Sequence, residues 1–221
     1  MKAFILSAGK GSRLKPFTIN MPKPLYSIKG KPLIVWNIER LKSAGITDIV
    51  INLFHKGNKI REFLKDGRDY GVNITYSIED NLLGTGGGVA NMIEHFTDEP
   101  FIVLSGDVWS DFNFRDLKLN ENYLAHMVLI RNSPSYSKGD VALKDGIVST
   151  NGNKSFTYGG ISLISPFLFK DTGLHEFPLW EGVLEPAVVS GMVTGECYEG
   201  KLININSIEQ AKELDALLGE E

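Results

Sequence analysis

Short apolar runs alternate with amphipathic stretches through the first half of the chain. The runs have the length of strands, and the stretches between them carry apolar residues three or four positions apart, the spacing of one helix face. This alternation predicts βαβ units and a parallel sheet. Strands are predicted at residues 3–6, 49–53, 72–78 and 101–104, and helices from Pro32 to Gly45, around residues 60–64 and at 89–96.

Strand-like runs dominate the second half. They are predicted at residues 125–131, 141–143, 147–150, 156–164 and 197–205, with a hairpin turn at Asp145-Gly146. A helix is predicted over 182–190. Ser207 and Gln210 form a capping box that opens a final helix, with Ile208, Ala211, Leu214 and Leu218 on one face. No linker or internal repeat separates the halves, so we expect a single unit over residues 1–221.

The first predicted strand ends abruptly in small residues, which are Ser7, Ala8, Gly9, Gly11 and Ser12. Small residues let backbone N–H groups approach an anion, and a helical turn beginning near Ser12 would point its positive end the same way. Arg13 and Lys23 add side-chain charge, so the stretch predicts a polyphosphate cradle. A plain turn between a strand and a helix is the alternative interpretation.

Two better-known phosphate motifs do not match this stretch. A P-loop requires Ser or Thr after Gly-Lys, whereas Gly9-Lys10 is followed by Gly11. A dinucleotide fingerprint requires a third glycine at the position that Leu14 occupies. Both motifs are therefore excluded.

Two other candidate stretches also follow predicted strands. The glycine-rich run Gly84–Gly88 follows the strand at 72–78 and interrupts the chain before the helix at 89–96, and Asp107 follows the strand at 101–104. Because ligands bind beyond the carboxyl ends of parallel strands, we expect these loops and the first one to meet at one edge of the sheet. The alternatives are a flexible loop for the glycines and a helix N-cap for Asp107.

Composition and charge narrow the function classes. The 221 residues are 43% hydrophobic and 23% charged, which is ordinary for a globular protein. The net charge is −4 and no Lys/Arg-rich run appears, which argues against a nucleic-acid partner. The single cysteine, Cys197, suits a reducing compartment. No apolar run matches a secretion signal or the ~20 residues of a membrane span, so we expect a cytoplasmic protein with no membrane partner.

The stretch beginning at Gly9 resembles the signature of the sugar-1-phosphate nucleotidyltransferases. The matching positions are Gly9, Gly11, Arg13, Leu14 and Pro16, then Pro22-Lys23-Pro24-Leu25, then Gly30, Pro32 and Leu33. Chain length and the strings at 84–89, 106–111 and 158–162 are most similar to the N-acetylmuramic acid 1-phosphate uridylyltransferase branch. The resemblance implies a single-domain, Rossmann-like α/β nucleotidyltransferase fold with a mixed, mainly parallel sheet flanked by helices. Residues 1–110 would be the nucleotide-binding part and 111–221 the sugar-binding part.

The same resemblance implies a reaction and its residues. A nucleotidyl group would pass from an NTP, with UTP favoured, to a sugar 1-phosphate, giving an NDP-sugar and pyrophosphate with Mg²⁺ as cofactor. Arg13, Lys23 and Asp107 would be catalytic, and Asp107 would also bind the metal. The implied nucleotide-binding residues are Ala8, Gly9, Gly11, Ser12, Arg13, Lys23, Gly84, Thr85, Gly86 and Gly87. The expected partners are the two substrates, and the chain is expected to be a monomer or a homo-oligomer.

Candidates for sugar recognition lie in the second half. The resemblance implies that Asp140 contacts a sugar hydroxyl and that Gly160 lets the sugar approach the backbone. Asp140 could equally begin a hairpin. Glu181 is a weaker sugar candidate, more typical of a solvated helix residue, and Trp109 could stack on a sugar or pack in the core. The histidines show no ligand spacing, and we assign them no chemistry.

The chain departs from the family pattern at Asn204. The family usually has an aspartate there as its second Mg²⁺ ligand, and an amide oxygen can coordinate the metal without supplying charge. We expect a working enzyme with altered metal affinity. The alternatives are a guanylyltransferase acting on a mannose- or heptose-type 1-phosphate, and a catalytically weakened nucleotide-sugar-binding protein.

Overall fold

The computed structural model describes residues 1–14, 16–97, 99–132 and 138–219, with the side chain of Phe17 left out. Its strands fall close to the apolar runs of the sequence. They are β1 (Ala3–Leu6), β2 (Ser27–Ile28), β3 (Lys31–Pro32), β4 (Asp48–Leu53), β5 (Asn73–Ile78), β6 (Phe101–Ser105), β7 (Val108–Ser110), β8 (Ala125–Arg131), β9 (Ala142–Lys144), β10 (Ile147–Ser149), β11 (Phe156–Ile164), β12 (Val193–Cys197) and β13 (Leu202–Asn204).

One nine-stranded sheet contains strands from both halves of the chain, in the order β5-β4-β1-β6-β11-β8-β12-β10-β9. Strands β5, β4, β1 and β6 pair in parallel, as the βαβ pattern predicts. The strand β11 is antiparallel to both of its neighbours, whereas β8 and β12 pair in parallel. Strand β10 pairs antiparallel with both β12 and β9. The sheet is therefore mixed, with its parallel pairing concentrated in β5, β4, β1 and β6, and the single-domain α/β prediction is confirmed. The division of the chain into nucleotide-binding and sugar-binding parts stays a prediction.

The α-helices cover both faces of this sheet. They are α1 (Leu33–Ser43), α2 (Gly57–Leu64), α3 (Gly84–Ala90), α4 (Glu185–Val189) and α5 (Ile208–Leu217). Side chains alternate across β1, so Ala3 and Ile5 join a core cluster with residues of α1 and α2, while Phe4 joins another with residues of α3 and α4. None of the helices that the described residues form has the length and apolar character needed to cross a bilayer.

The prediction that the glycine run breaks the chain is wrong. Gly84–Ala90 is itself helical and includes the first two residues of the helix predicted at 89–96, whose later part is a short 3-10 turn at Ile93–His95. Glycine is a poor helix former in isolation, so the helical state here comes from tertiary packing that glycine alone permits.

The single late strand predicted over 197–205 is also wrong. Strand β12 ends at Cys197 and β13 begins at Leu202. The carboxylate of Asp111 accepts hydrogen bonds from the Tyr198 hydroxyl at 2.6 Å and the Lys201 N–H at 2.8 Å, and these contacts fix the corner. After the corner, β13 leaves the large sheet and pairs antiparallel with β7.

The final helix forms as predicted. The Ser207 hydroxyl accepts from the Gln210 N–H at 3.2 Å, and Gln210 Oε1 accepts from the Ser207 N–H at 3.1 Å, which completes the capping box. Ala211 and Leu214 are buried against a third core cluster that includes Trp109 and Ile205. Helix α5 thus holds β13 and β7 in place. Trp109, only 2% exposed, is a core residue.

Candidate active site

A cavity of about 380 Å³ opens at the carboxyl ends of β1, β4 and β6. We call it the rim cavity. It is lined by residues 6–14, Lys23, Pro24, Asn52, Leu82, Gly84, Thr85 and residues 105–107. The three loops that the sequence analysis expected at one edge of the sheet therefore do meet there. Ala8, Gly9, Gly11, Ser12, Arg13, Lys23 and Asp107 all line the same space.

The turn after β1 is a 3-10 turn at Ser12–Leu14, and the Leu14 N–H donates to the Gly11 carbonyl at 3.0 Å. Gly11 has a φ of +61°, in the left-handed region that glycine adopts without strain. A Cβ at this position would also lie 3.1 Å from both Lys23 Cβ and Thr18 Cγ2. The turn is therefore packed tightly from below, while Ser12 and Arg13 stay exposed.

Lys23 and Asp107 form an ion pair inside the rim cavity. Lys23 Nζ lies 2.6 Å from Asp107 Oδ2, and the two side chains are 11% and 29% exposed. Burial lowers the pKa of Lys23, the nearby Arg13 charge lowers it further, and the Asp107 carboxylate opposes both. Lys23 and Asp107 therefore share a poorly solvated space, where their interaction is stronger than on an open surface, and the exposed Arg13 lies close enough to act on Lys23.

Asp107 lies in the turn between β6 and β7 and caps no helix, so the N-cap alternative is wrong. The Gly106 N–H donates to the Leu6 carbonyl at 2.9 Å, and a Cβ on Gly106 would lie 2.6 Å from that oxygen. This close approach brings the carboxylate to the end of β1. Glycine before Asp107 is therefore required by the packing of two strand ends.

Asn204 lies beside this turn. It pairs with Val108 across the β7–β13 ladder, and the following Ile205 N–H donates to the Asp107 carbonyl at 2.9 Å. Asn204 Oδ1 is buried and has no hydrogen-bond partner. Since a buried amide oxygen without a partner is costly, this atom is suited to a donor or cation supplied by a ligand.

Sequence analysis missed Asn206. Its Oδ1 lies 3.3 Å from Lys23 Nζ, so Lys23 contacts both Asp107 and Asn206. Asn206 follows the end of β13 at Asn204, and its contact with Lys23 spans most of the chain.

A buried polar network beneath the rim cavity was also missed. Asn52 Oδ1 accepts from the Ser7 N–H at 2.7 Å, and Asn52 Nδ2 donates to Glu79 Oε1 at 2.7 Å. Glu79 Oε2 accepts from the Leu83 N–H at 3.0 Å, although Glu79 is only 5% exposed. The network ties together the ends of β1, β4 and β5. Asn52 interrupts an apolar run, and that was its only signal in the sequence.

The predicted nucleotide-binding residues of the glycine run divide into two groups. Gly84 and Thr85 line the rim cavity, whereas Gly86 and Gly87 are buried outside it. The N–H groups of Gly86 and Gly87 donate to the Phe177 carbonyl at 2.9 and 3.2 Å. These donors are therefore already satisfied within the chain, and the two glycines pack the run against the segment around Phe177.

Gly86→Ala is expected to lower the free energy of unfolding by about 1–3 kcal/mol. A Cβ there would lie 2.2 Å from Phe177 Cε2, and this clash outweighs the helix propensity gained. Urea unfolding measures the change. Gly9→Ala is the control, because a Cβ at Gly9 meets nothing within 4 Å. Equal stabilities of the Gly86→Ala variant and the unaltered protein would contradict the tight packing.

The predicted sugar-binding residues do not line the rim cavity. Asp140 lies shortly before β9, and its Oδ2 accepts a hydrogen bond from the Tyr158 N–H at 2.9 Å. Asp140 therefore begins a hairpin, which is the alternative that the sequence left open. Gly160, with a φ of +77°, lies in a β-bulge of β11, where a Cβ would meet Ser105 Oγ at 3.0 Å. It therefore borders a cavity residue without lining the cavity. Glu181 is exposed in a π-helix at Trp180–Leu184.

Comparison with known proteins agrees with this architecture. The family model described as "Nucleotidyl transferase" matches residues 2–132. N-acetylmuramate alpha-1-phosphate uridylyltransferase of Neisseria meningitidis serogroup B is 37% identical, over 99% of each chain. D-glycero-alpha-D-manno-heptose 1-phosphate guanylyltransferase of Campylobacter jejuni is 33% identical, over 80% of this chain and 81% of its own.

The fold is also shared with solved structures. HddC from Yersinia pseudotuberculosis superimposes with a TM-score of 0.84 over 98% of this chain and 99% of its own, at 21% identity. At that identity the likeness concerns the fold alone. Given the family model and the full-length relative, the chain belongs to the nucleotidyl transferase family.

Proposed function

We propose that the protein transfers a nucleotidyl group from an NTP to a sugar 1-phosphate and releases pyrophosphate. The observation that carries the proposal is the Lys23–Asp107 pair, 2.6 Å apart, beneath the glycine turn in one cavity. UTP is the favoured nucleotide, because a relative that matches over 99% of its own length is named a uridylyltransferase.

The first turn and its cations would hold the triphosphate. Gly11, Ser12 and Arg13 would contact the β- and γ-phosphates, with Ala8 and Gly9 lining the approach, and Lys23 would neutralise charge near the α-phosphate. The sugar phosphate oxygen attacks the α-phosphorus in line, the bond to the bridging oxygen breaks, and pyrophosphate leaves. Charge accumulates on the phosphate oxygens during this step, and positioned cations in a poorly solvated cavity stabilise it.

Mg²⁺ is the proposed cofactor, and the donor set fits it. Asp107 offers a carboxylate, and Asn204 Oδ1 is a buried acceptor without a partner. Among the described residues no group of three or more His, Cys, Asp and Glu side chains forms a metal site. A sparse site suits Mg²⁺, which uses one or two carboxylates together with substrate phosphates and water. The bound ion would neutralise phosphate charge.

We propose that the glycine run recognises the base and that Gly160 and Asp140 contribute to sugar recognition. Gly84 and Thr85 line the rim cavity and would contact the base, while Gly86 and Gly87 would act by holding the run in place. For the sugar, Gly160 borders Ser105 at the cavity edge. Asp140 already accepts a backbone hydrogen bond, so its contact with a sugar hydroxyl would use its remaining acceptor capacity.

Two alternative functions each have a specific observation in their favour. The guanylyltransferase relative, which covers most of both chains, favours GTP with a heptose-type 1-phosphate. The neutral Asn204 favours a protein that binds nucleotides or nucleotide sugars with weakened turnover.

Pyrophosphate release across a panel of the four NTPs and several sugar 1-phosphates tests the proposal. We expect release with UTP and one of the sugar phosphates at saturating Mg²⁺. Release only with GTP and a heptose- or mannose-type phosphate would support the guanylyl alternative. An absence of release with every pair, despite UTP binding, would support the binding protein.

A further inference from the structure

The segment after the first turn is held from outside the rim cavity by two lysines of the next strand-helix unit. Lys56 Nζ donates to the carbonyls of Thr18, at 3.1 Å, and of Ile19. Lys59 Nζ donates to the Asn20 carbonyl at 2.7 Å. These carbonyls lie at the end of the 3-10 turn Phe17–Ile19, where partial negative charge accumulates and cations are favoured. We call Lys56 and Lys59 the α2 clasp.

Thr18 connects the clasp to the cavity. It is only 4% exposed, and its hydroxyl donates to the Gly11 carbonyl at 2.8 Å. A Cβ added to Gly11 would lie 3.1 Å from Thr18 Cγ2. Thr18 therefore fixes both the direction of the Gly11 carbonyl and the packing under the left-handed Gly11. Neither Thr18 nor the clasp lysines line the rim cavity.

The direction of the Gly11 carbonyl determines the direction of the adjoining N–H groups. The peptide unit is planar, so holding the Gly11 oxygen inward turns the Ser12 N–H outward. The same oxygen accepts from Leu14, which completes the turn that presents Ser12 and Arg13 to the cavity. A loss of the Thr18 contact would free this peptide to rotate.

Lys56 itself adopts a backbone conformation that suits this task. It has a φ of +55°, unusual for a side-chain-bearing residue, at the start of α2. Here the conformation accompanies a side chain that reaches the Thr18 and Ile19 carbonyls.

We propose that Thr18, held by the α2 clasp, is a positioning residue that sets the affinity of the first turn for the triphosphate. The proposal rests on the proposed function, because it assumes that the turn binds an NTP. It assigns to Lys56 and Lys59 a part in nucleotide binding without contact with the nucleotide.

Lys56→Met tests the clasp. Methionine keeps the apolar stem and removes the donor, and we expect KM for the NTP to rise about tenfold with kcat changed less than about twofold. Lys56→Arg keeps the charge and should restore KM. Lys65→Met is the control for net charge, because Lys65 ends α2 at its far side and pairs with Asp69 at 2.9 Å. Equal effects of Lys56→Met and Lys65→Met, or an unchanged KM in Lys56→Met, would overturn the proposal.

A matched pair tests the link at Thr18. Thr18→Val removes the hydroxyl at nearly constant volume, and Thr18→Ser keeps it. We expect a higher KM in the valine variant and near-normal KM in the serine variant. The reverse order, or the same loss in both, would mean that packing and not the hydrogen bond sets affinity, and it would overturn the proposal even if both proteins fold.

The exchange rate of the Leu14 amide tests the α2 clasp without requiring enzyme activity, so it can fail independently of the proposed function. The Leu14 amide, which donates to Gly11, should exchange about tenfold faster in Lys56→Met and at the normal rate in Lys65→Met. If the unaltered protein released no pyrophosphate with any substrate pair, the proposed function would fail. The exchange rates would then decide on the clasp alone, and an unchanged Leu14 rate would reject it.

Discussion

Asp107→Asn is expected to lower kcat about a thousandfold while the Kd for UTP, measured by calorimetry, changes by less than about tenfold. The carboxylate contributes charge to the site, whereas most contacts proposed for the triphosphate come from the first turn and Lys23. Asparagine preserves the shape of the side chain and an oxygen that can accept from Lys23 Nζ, now 2.6 Å from Asp107 Oδ2. The protein should therefore fold and still bind nucleotide.

The choice of asparagine over alanine matters for Lys23. Burial already lowers the pKa of Lys23, and the carboxylate is the group that opposes this. In the part of the chain that the structure describes, the other acceptor for Lys23 Nζ is Asn206 Oδ1, at 3.3 Å. Asp107→Ala would therefore leave a buried ammonium with one long hydrogen bond and would mix a folding defect with a catalytic one.

Asp111→Asn is the matched control for the Asp107 variant. Asp111 follows β7 and contacts Tyr198 and Lys201, outside the rim cavity. Its substitution should weaken the corner before β13 without removing charge from the site. If Asp107→Asn retained more than about a tenth of kcat, or if both variants lost activity equally, the assignment of Asp107 would be contradicted.

Asn204→Asp is expected to strengthen Mg²⁺ binding about tenfold when UTP is present, because it adds a charged oxygen at a position whose amide oxygen has no partner. Two readouts apply: the Mg²⁺ concentration that gives half-maximal turnover, and a direct Mg²⁺ titration by calorimetry. Asn204→Ala should have the opposite effect on both.

The same variant decides between the enzyme and the binding protein. If the unaltered protein binds UTP but is inert and Asn204→Asp restores turnover, the binding protein is the correct assignment. If metal affinity is the same in the asparagine, aspartate and alanine forms, position 204 does not contact the metal, and its buried oxygen needs another ligand.

Local signals account for the parts of the fold that the sequence predicted well. The apolar run before Gly9 is short and sharply bounded, and the Ser207–Gln210 capping box is a contact within four residues. The spacing of apolar residues within one segment shows which face of that helix or strand is buried, so no distant contact is needed to predict it. The meeting of the three loops at the rim cavity could also be predicted, because parallel strands bring their carboxyl ends to one edge of the sheet.

Tertiary contacts explain the failures. Gly84–Ala90 is helical because Phe177, about ninety residues later, accepts from two of its N–H groups and packs where side chains would be. The corner at Tyr198–Lys201 depends on Asp111, which follows β7 much earlier in the chain. Asn206 and Asn52 contact residues far away in the sequence, and these contacts appear only when Lys23 and Glu79 are placed beside them.

A crystal structure with UTP and Mg²⁺ would show whether the rim cavity binds the nucleotide. We predict a triphosphate lying between the Gly11–Arg13 turn and Lys23, with the metal on Asp107 and Asn204 and the base beside Gly84 and Thr85. UTP bound away from the rim cavity, with the Lys23–Asp107 pair unchanged, would refute the proposed active site.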